Sequence, residues 1–323
     1  MPQLRLEIVL AAVLGVGALL LGLFGSKLWL NFGAEALIWA LFVISLNLLV
    51  GYGGMVSFGH AAYFGLGAYG AGLLAAKLGM NLFLAALLGV ALAALIALLF
   101  GLICVRRSKV YFAMLTLALA QLCWAVAFRW NDVTGGDQGI NGLPAPELGA
   151  LLGTSNQRAF YFLCLILAVL GVMFVARLVT SPTGLVFRAI KQNSERVQFL
   201  GVRVARVQLA IFVIAGAMAG LAGALFAYHT RGLFPDYLYW TKGAEALNML
   251  VLGGMNSLMG PVLGAVVLLL INQEATSITP YWSLITGLML GGLIMFAPGG
   301  LAALGARVSE QLRGQLQKRG RGR

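Results

Sequence analysis

The sequence predicts an all-α, polytopic integral membrane protein with about eight full spans plus re-entrant or broken helices. Three observations predict it. The 323 residues are 61% hydrophobic and 10% charged, against about 45–50% apolar and about 25% charged in soluble domains. The apolar residues gather in runs near the ~20 residues that a membrane helix needs. The basic residues gather on alternate connecting segments. These features exclude a soluble globular domain, a disordered tail and a secreted disulfide scaffold.

The first run, 8–24, follows Arg5 as a signal peptide would. No small-x-small cleavage pattern follows it, so an uncleaved first helix is expected. Further runs are 34–50, 61–76, Leu82–Cys104, 111–128, 159–179, 208–228 and 281–297. Between the last two lies 243–272. It carries apolar runs at 244–252 and 262–271, split by Gly253-Gly254-Met255-Asn256-Ser257-Leu258-Met259-Gly260-Pro261. Each run is about half the crossing length, which fits a re-entrant pair or broken helices. The whole of 1–323 reads as one transmembrane domain. N-terminal spans occupy 8–179, an inside loop 180–207, C-terminal spans 208–305 and a basic tail 306–323.

With the N-terminus inside, 16 of the 22 Lys and Arg residues fall on the inner face, as the positive-inside rule requires. Seven of the ten acids fall outside: Glu35, Asp132, Asp137, Glu147, Asp236, Glu245 and Glu274. The parity closes if 243–272 enters and leaves by one face or crosses twice. Both termini are then cytoplasmic. The net charge of +12 is a topology signal directed at anionic membrane lipid. The basic tail lacks the interleaved aromatics of a base-stacking surface, so no nucleic-acid partner is expected.

The chemistry is marked by absences. There is no G-x-x-x-x-G-K-[ST] phosphate loop and no H-E-x-x-H, G-x-S-x-G or paired-Cys spacing, so the chain reads as neither an ATPase nor any other enzyme. Cys104, Cys123 and Cys164 lie in apolar runs, and two scattered histidines suggest no metal site. Nearly every ionisable side chain sits at a helix end or in a loop, whereas ion-coupled carriers place such groups inside the bilayer. His60, beside a glycine break, is the main exception. It reads as a coupling group or a polar residue lining a cavity. The protein is then a passive pore or is driven by another protein.

Within the inside loop, 185–200 places Leu185, Phe187, Ala189, Ile190, Val197, Phe199 and Leu200 among Arg188, Lys191, Gln192 and Glu195. This pattern predicts a short amphipathic helix, bounded by Pro182 and Gly184 before it and Gly201 after it. Such a helix lies on lipid or seats its apolar face in a partner's groove; periodicity leaves both open. Gly53-Gly54-Met55-Val56-Ser57-Phe58-Gly59 and Gly253-Gly254-Met255-Asn256-Ser257 share G-G-M-x-S, each after an apolar run. Matched Gly-interrupted segments point to a transport pathway, and broken backbone is tolerated at membrane depth only against protein or water. Candidate pathway residues are Gly53, Gly54, Ser57, His60, Gly253, Gly254, Asn256 and Ser257. Gly216-x-x-x-Gly220 and Gly287-x-x-x-Gly291 read as helix-packing faces. The long outside loop 129–158 presents Asp132, Asp137 and Glu147, a candidate docking surface.

Three stretches resemble a known family. They are 47–69 around the first glycine break, 111–118 with Thr134-Gly135-Gly136-Asp137-Gln138-Gly139-Ile140, and the inside loop continuing through 219–224, 252–255 and 260–265. Over about 47–300 the chain resembles the permease subunits of bacterial ABC importers of the branched-chain amino acid type, LivM-like. The resemblance implies a second permease subunit, two ATPase subunits holding ATP and Mg, and a periplasmic substrate-binding protein at the bacterial inner membrane, with no cofactor in this chain. It also implies that the inside loop is the coupling segment gripped by an ATPase, through Gly184, Arg188, Asn193, Glu195 and Gly201. Glu195 and Gly201 match the family's E-A-A-x-x-x-G pattern, whereas Arg196 and Val197 replace its alanines. The implied cargo is a branched-chain amino acid, with urea, short amides and aromatic acids as alternatives. A self-contained secondary transporter is the competing expectation.

Overall fold

The computed structural model describes residues 2–107, 109–144, 155–255 and 257–278, and beyond them 284, 286–288, 291–292, 295 and 299–303. The long helices are α1 (Pro2–Phe24), α2 (Lys27–Asn47), α3 (His60–Leu78), α4 (Leu82–Cys104), α5 (Lys109–Arg129) and α6 (Asn156–Thr180). The short pair α7 (Pro182–Gln192) and α8 (Ser194–Phe199) follows, then α9 (Val204–Thr230), α10 (Trp240–Gly253) and α11 (Gly260–Ile278). A π-helical turn, Leu48–Tyr52, extends α2. Most of the expected span 281–297, the tail 306–323, Asn256 and Glu147 lie outside the described residues.

Local chemistry explains the boundaries. Asn81 caps α4 by accepting from the Leu84 N–H at 2.9 Å, and Gly79 ends α3 at φ +60°, a conformation that suits glycine. Ser181 caps α7 ahead of Pro182 at its first position, a placement that costs no hydrogen bond.

Five helices among the described residues are long and apolar enough to cross a membrane: Lys27–Tyr52, Leu82–Cys104, Val110–Arg129, Asn156–Thr180 and Val204–Thr230. Burial sorts them. The apolar stretches of α2 and α9 are 83% and 67% buried, against 22–28% for α4, α5 and α6. The first two form the centre and the last three carry the apolar outer surface. The expected span 61–76 becomes α3, which is not among the five. It is rich in Gly and Tyr and sits inside the bundle against α4 and α9, with Phe64 packed on Trp39 and Phe42 of α2, so it needs no uniformly apolar surface.

Small residues set the helix spacing. α4 buries Ala85, Gly89, Ala93, Ala97 and Gly101 on one stripe. A Cβ on Gly216 would fall 2.5 Å from that of Ala97, and one on Gly220 2.4 Å from that of Ala93. This is a small-residue packing face of the expected kind. Gly287 and Gly291 meet nothing within 4 Å among the described residues.

The link 231–239 runs down the side of α3. Leu233 lies over Gly72 and Leu238 over Gly65, seven residues or about 10 Å deeper along the helix. Its upper end pairs antiparallel with the loop after α5, Ile140 with Leu233 and Asn141 with Gly232. α10 therefore starts deep. Its 14 residues span about 21 Å, short of the ~30 Å hydrocarbon core. It is the expected broken element, whereas α11, with 19 residues, outruns its sequence run 262–271.

Candidate functional site: two glycine breaks and a short helix pair

The first break begins where the π turn ends. Gly53 N–H donates to Leu48 O and Met55 N–H to Leu49 O, both at 3.0 Å. Gly54 then adopts φ +69° beneath the Lys191 side chain. His60, the first residue of α3, is stacked on Phe42 at 5.4 Å. Its Nε2 lies 2.8 Å from Ser45 Oγ. α3 thus begins level with residues 42–45, roughly seven to ten residues or about 10–15 Å up from the end of the π turn. Residues 53–59 cover that depth without a helix.

Backbone of this kind is tolerated only against protein or water. Val56 and Phe58 are each 40% exposed, so part of the segment faces outward from this chain. Ser57 is buried, and its hydroxyl finds no partner among the described residues. A Cβ on Gly59 would fall 2.1 Å from the Thr116 carbonyl oxygen, so α5 crosses here directly on backbone.

His60 is fully buried. The Ser45 hydroxyl donates to Phe42 O at 2.6 Å, so His60 Nε2 carries the hydrogen toward Ser45. Its Nδ1 is left as an acceptor without a partner among the described residues, as is Asn47 Oδ1. His60 thus packs between α2 and α3, its ring held by Phe42 and Ser45.

The second break packs on the first. Asn47 Nδ2 donates to Ser257 O at 3.1 Å, and a Cβ on Gly51 would fall 2.6 Å from Met255 O. Ser257 Oγ accepts the Gly260 N–H at 3.0 Å, a helix cap for α11. Gly253 faces Gly260 and Gly264, and Gly254, at φ +108°, faces Gly299 and Gly300. Close packing and positive φ account for these glycines. Lys242 lies over Trp39 at 5.1 Å and Ser257 beside Asn47, so α10 runs in the direction of α2. The two broken hairpins are parallel repeats with both breaks at one end of the bundle.

The loop expected to form the coupling segment sits at that same end. Its expected single helix is two, broken at Asn193, whose backbone is extended at φ −157° and ψ 101°. The break has a local cause: Asn193 Oδ1 accepts the Arg196 N–H at 3.0 Å and caps α8. Part of the apolar set is taken up by this chain itself, because Gly184, Phe187, Ile190 and Val197 are buried. Arg188 donates to Val179 O at 2.9 Å, satisfying the carboxyl end of α6. A Cβ on Gly184 would fall 2.3 Å from the same carbonyl oxygen. The outward side carries Glu195, Gln192 and Arg196, with exposed Leu185, Phe199 and Leu200. Gly201 ends the pair at φ +84° with open space around it.

Sequence reasoning passed over Lys191. Its Nζ donates to Gly51 O at 2.5 Å, tying α7 to the π turn beside both breaks. The residue spacing carries no signal of that contact, which joins positions 140 apart.

At the opposite end, Asp132, Asp137 and Asp236 are exposed. Lys77 Nζ donates to Asp132 O at 3.1 Å, and the β-pairing of 140–141 with 232–233 brings the two loops together. Glu35, Lys242 and Glu245, read from sequence as outside residues, are instead partly buried. Glu35 lies eight residues into α2, and Lys242 pairs with Glu245 at 3.0 Å.

A model of the family described as the branched-chain amino acid transport system permease component matches residues 28–298. The chain is 26% identical over 287 residues to the high-affinity branched-chain amino acid transport permease LivM of Salmonella typhimurium, covering 82% of this chain and 68% of that protein. It is 31% identical over 215 residues to the autoinducer 2 import permease LsrC of Salmonella paratyphi B, covering 62% and 59%. It is also 26% identical over 250 residues to LivH of Salmonella typhimurium, covering 71% and 79%. With more than half of its length matched, this multi-pass chain of central and lipid-facing apolar helices belongs to the branched-chain amino acid transport permease family.

Proposed function

We propose that this chain is a transmembrane subunit of an ATP-binding cassette importer for branched-chain amino acids or a related small zwitterion. It works with a second permease subunit, two ATPases that hold ATP and Mg, and an external binding protein. The observation that carries the reading is the Lys191–Gly51 hydrogen bond. It joins an outward-facing helix pair to the π turn from which the first non-helical segment starts. An ATPase gripping the polar side of α7–α8 through Glu195, Gln192 and Arg196, with Leu185, Phe199 and Leu200 at the rim, moves the π turn as it closes. The Gly53–Gly59 and Gly253–Gly260 breaks shift with it, and the solute passes along the face that exposes Val56 and Phe58. The second permease covers the rest of that face, which satisfies the ban on lipid-exposed irregular backbone.

This reading places α7–α8 and both termini in the cytoplasm of a bacterial cell and Asp132 and Asp137 toward the binding protein. Related permeases name different cargoes, as the LivM and LsrC names show. The solute is therefore tested through the binding protein encoded beside this chain. That protein is expected to bind leucine, isoleucine or valine in calorimetry, and the same solute is expected to compete uptake. Binding of urea or an aromatic acid instead reassigns the cargo, and absence of any ATPase copurifying with the chain overturns the ABC assignment.

A further inference from the structure

At the α7 end of the bundle lies a cavity of about 390 Å³. Its walls come from five places: the Gly53–Met55 segment, Arg106 and Arg107 just after α4, Phe112 of α5, Lys191 and Ser194 of the helix pair, and the start of α9. Three cations line it, and among the described residues no carboxylate does. Among the described residues the one salt bridge is Lys242–Glu245, so Arg106 and Arg107 have no acidic partner there. Lys191 gives one N–H to Gly51 O, and an ammonium has two more to offer. Paired guanidinium groups with an ammonium suit a phosphate group, which arginine engages with two parallel hydrogen bonds.

The surroundings choose the source of that phosphate. The helix leading to Arg106 exposes Leu98, Leu102 and Ile103, and α5 exposes Tyr111 and Met114 just beyond the turn. Apolar outer surface therefore runs up to the mouth of the cationic cavity. A free phosphate uses only the cavity, whereas a phospholipid uses both. Basic pockets at the cytoplasmic ends of membrane helices hold anionic headgroups in this way.

We infer that Arg106, Arg107 and Lys191 form a headgroup site for an anionic phospholipid whose chains lie on α4 and α5. The lipid bridges the end of α4 to the coupling segment and the first glycine break. Its assignment to the inner leaflet rests on the orientation proposed above; the site itself does not.

The test is lipid retention by the full chain, purified with its partners in a neutral detergent and scored by mass spectrometry. Wild type is expected to retain phosphatidylglycerol over phosphatidylcholine by about tenfold, about 1.4 kcal/mol. Arg106→Gln with Arg107→Gln is expected to bring the two lipids level, while Arg177→Gln leaves the ratio unchanged. Retention of phosphatidylglycerol by the double variant at the wild-type ratio overturns the site. So does its displacement by inorganic phosphate at matched concentration, which marks a free-anion site. Normal lipid retention with loss of the ATPase subunits also overturns it, because the cations then serve a partner's acid. If the double variant fails to fold, wild type in rising salt decides: selective loss of phosphatidylglycerol supports the site, and salt-insensitive retention refutes it. Lipid retention needs no transport, so a failed uptake assay leaves this result separate.

Discussion

Lys191→Met removes one nitrogen and keeps most of the side-chain stem that covers Gly54. What is lost is the hydrogen bond to the Gly51 carbonyl at 2.5 Å, which lies on the buried side of the π turn. A hydrogen bond from a charged donor contributes about 1.5–3 kcal/mol. Losing about 2 kcal/mol shifts the balance between a joined and a separated α7 and π turn by about 30-fold. The fold should survive, because Phe187, Ile190 and Val197 still hold the helix pair to the bundle. The assay is ATP hydrolysis and labelled-solute uptake measured together, in vesicles containing the complete transporter. Uptake per ATP is expected to fall about 10- to 30-fold, with hydrolysis within about twofold of wild type and partial recovery in Lys191→Arg. An unchanged ratio in Lys191→Met would refute the claim that this contact transmits movement.

Two more outcomes follow from local geometry. Gly201→Ala meets no neighbour, since nothing lies within 4 Å of the added carbon, but φ there is +84°. It should cost about 1–2 kcal/mol of stability from backbone strain alone and lower uptake per ATP, with Gly201→Asn closer to wild type in thermal unfolding and uptake. In a cysteine-free background, Phe58→Cys should react with a water-soluble thiol reagent in the assembled, cycling transporter, whereas Leu98→Cys on lipid-facing α4 should not. Equal inertness of both would mean that 53–59 meets only protein.

Much of the fold was legible because apolar runs report helices directly. The predicted Leu82–Cys104 has the bounds of α4, and 159–179 and 208–228 fall inside α6 and α9. The loop 180–207 does carry short helices, and both glycine breaks interrupt helices at their places in the chain. Depth was not legible. Periodicity says that α7 has an apolar face, not that part of the face is taken up by its own chain. Nor does it say that α3 starts beside Phe42 or that a lysine 140 residues away reaches the π turn. His60 was singled out as a polar residue in apolar surroundings, yet Ser45 and Phe42 absorb its ring. Glu35 sits at the edge of an apolar run, where sequence alone cannot separate a loop from the first turns of a helix.

On this proposal, the permease moves only when an ATPase acts on α7–α8. The direct measurement is accumulation of labelled solute in vesicles holding the purified chain with its partner permease, with and without the ATPase subunits and ATP. Accumulation is expected only when both are present and the binding protein is outside. Concentration of solute against a gradient by the permeases alone would contradict the claim.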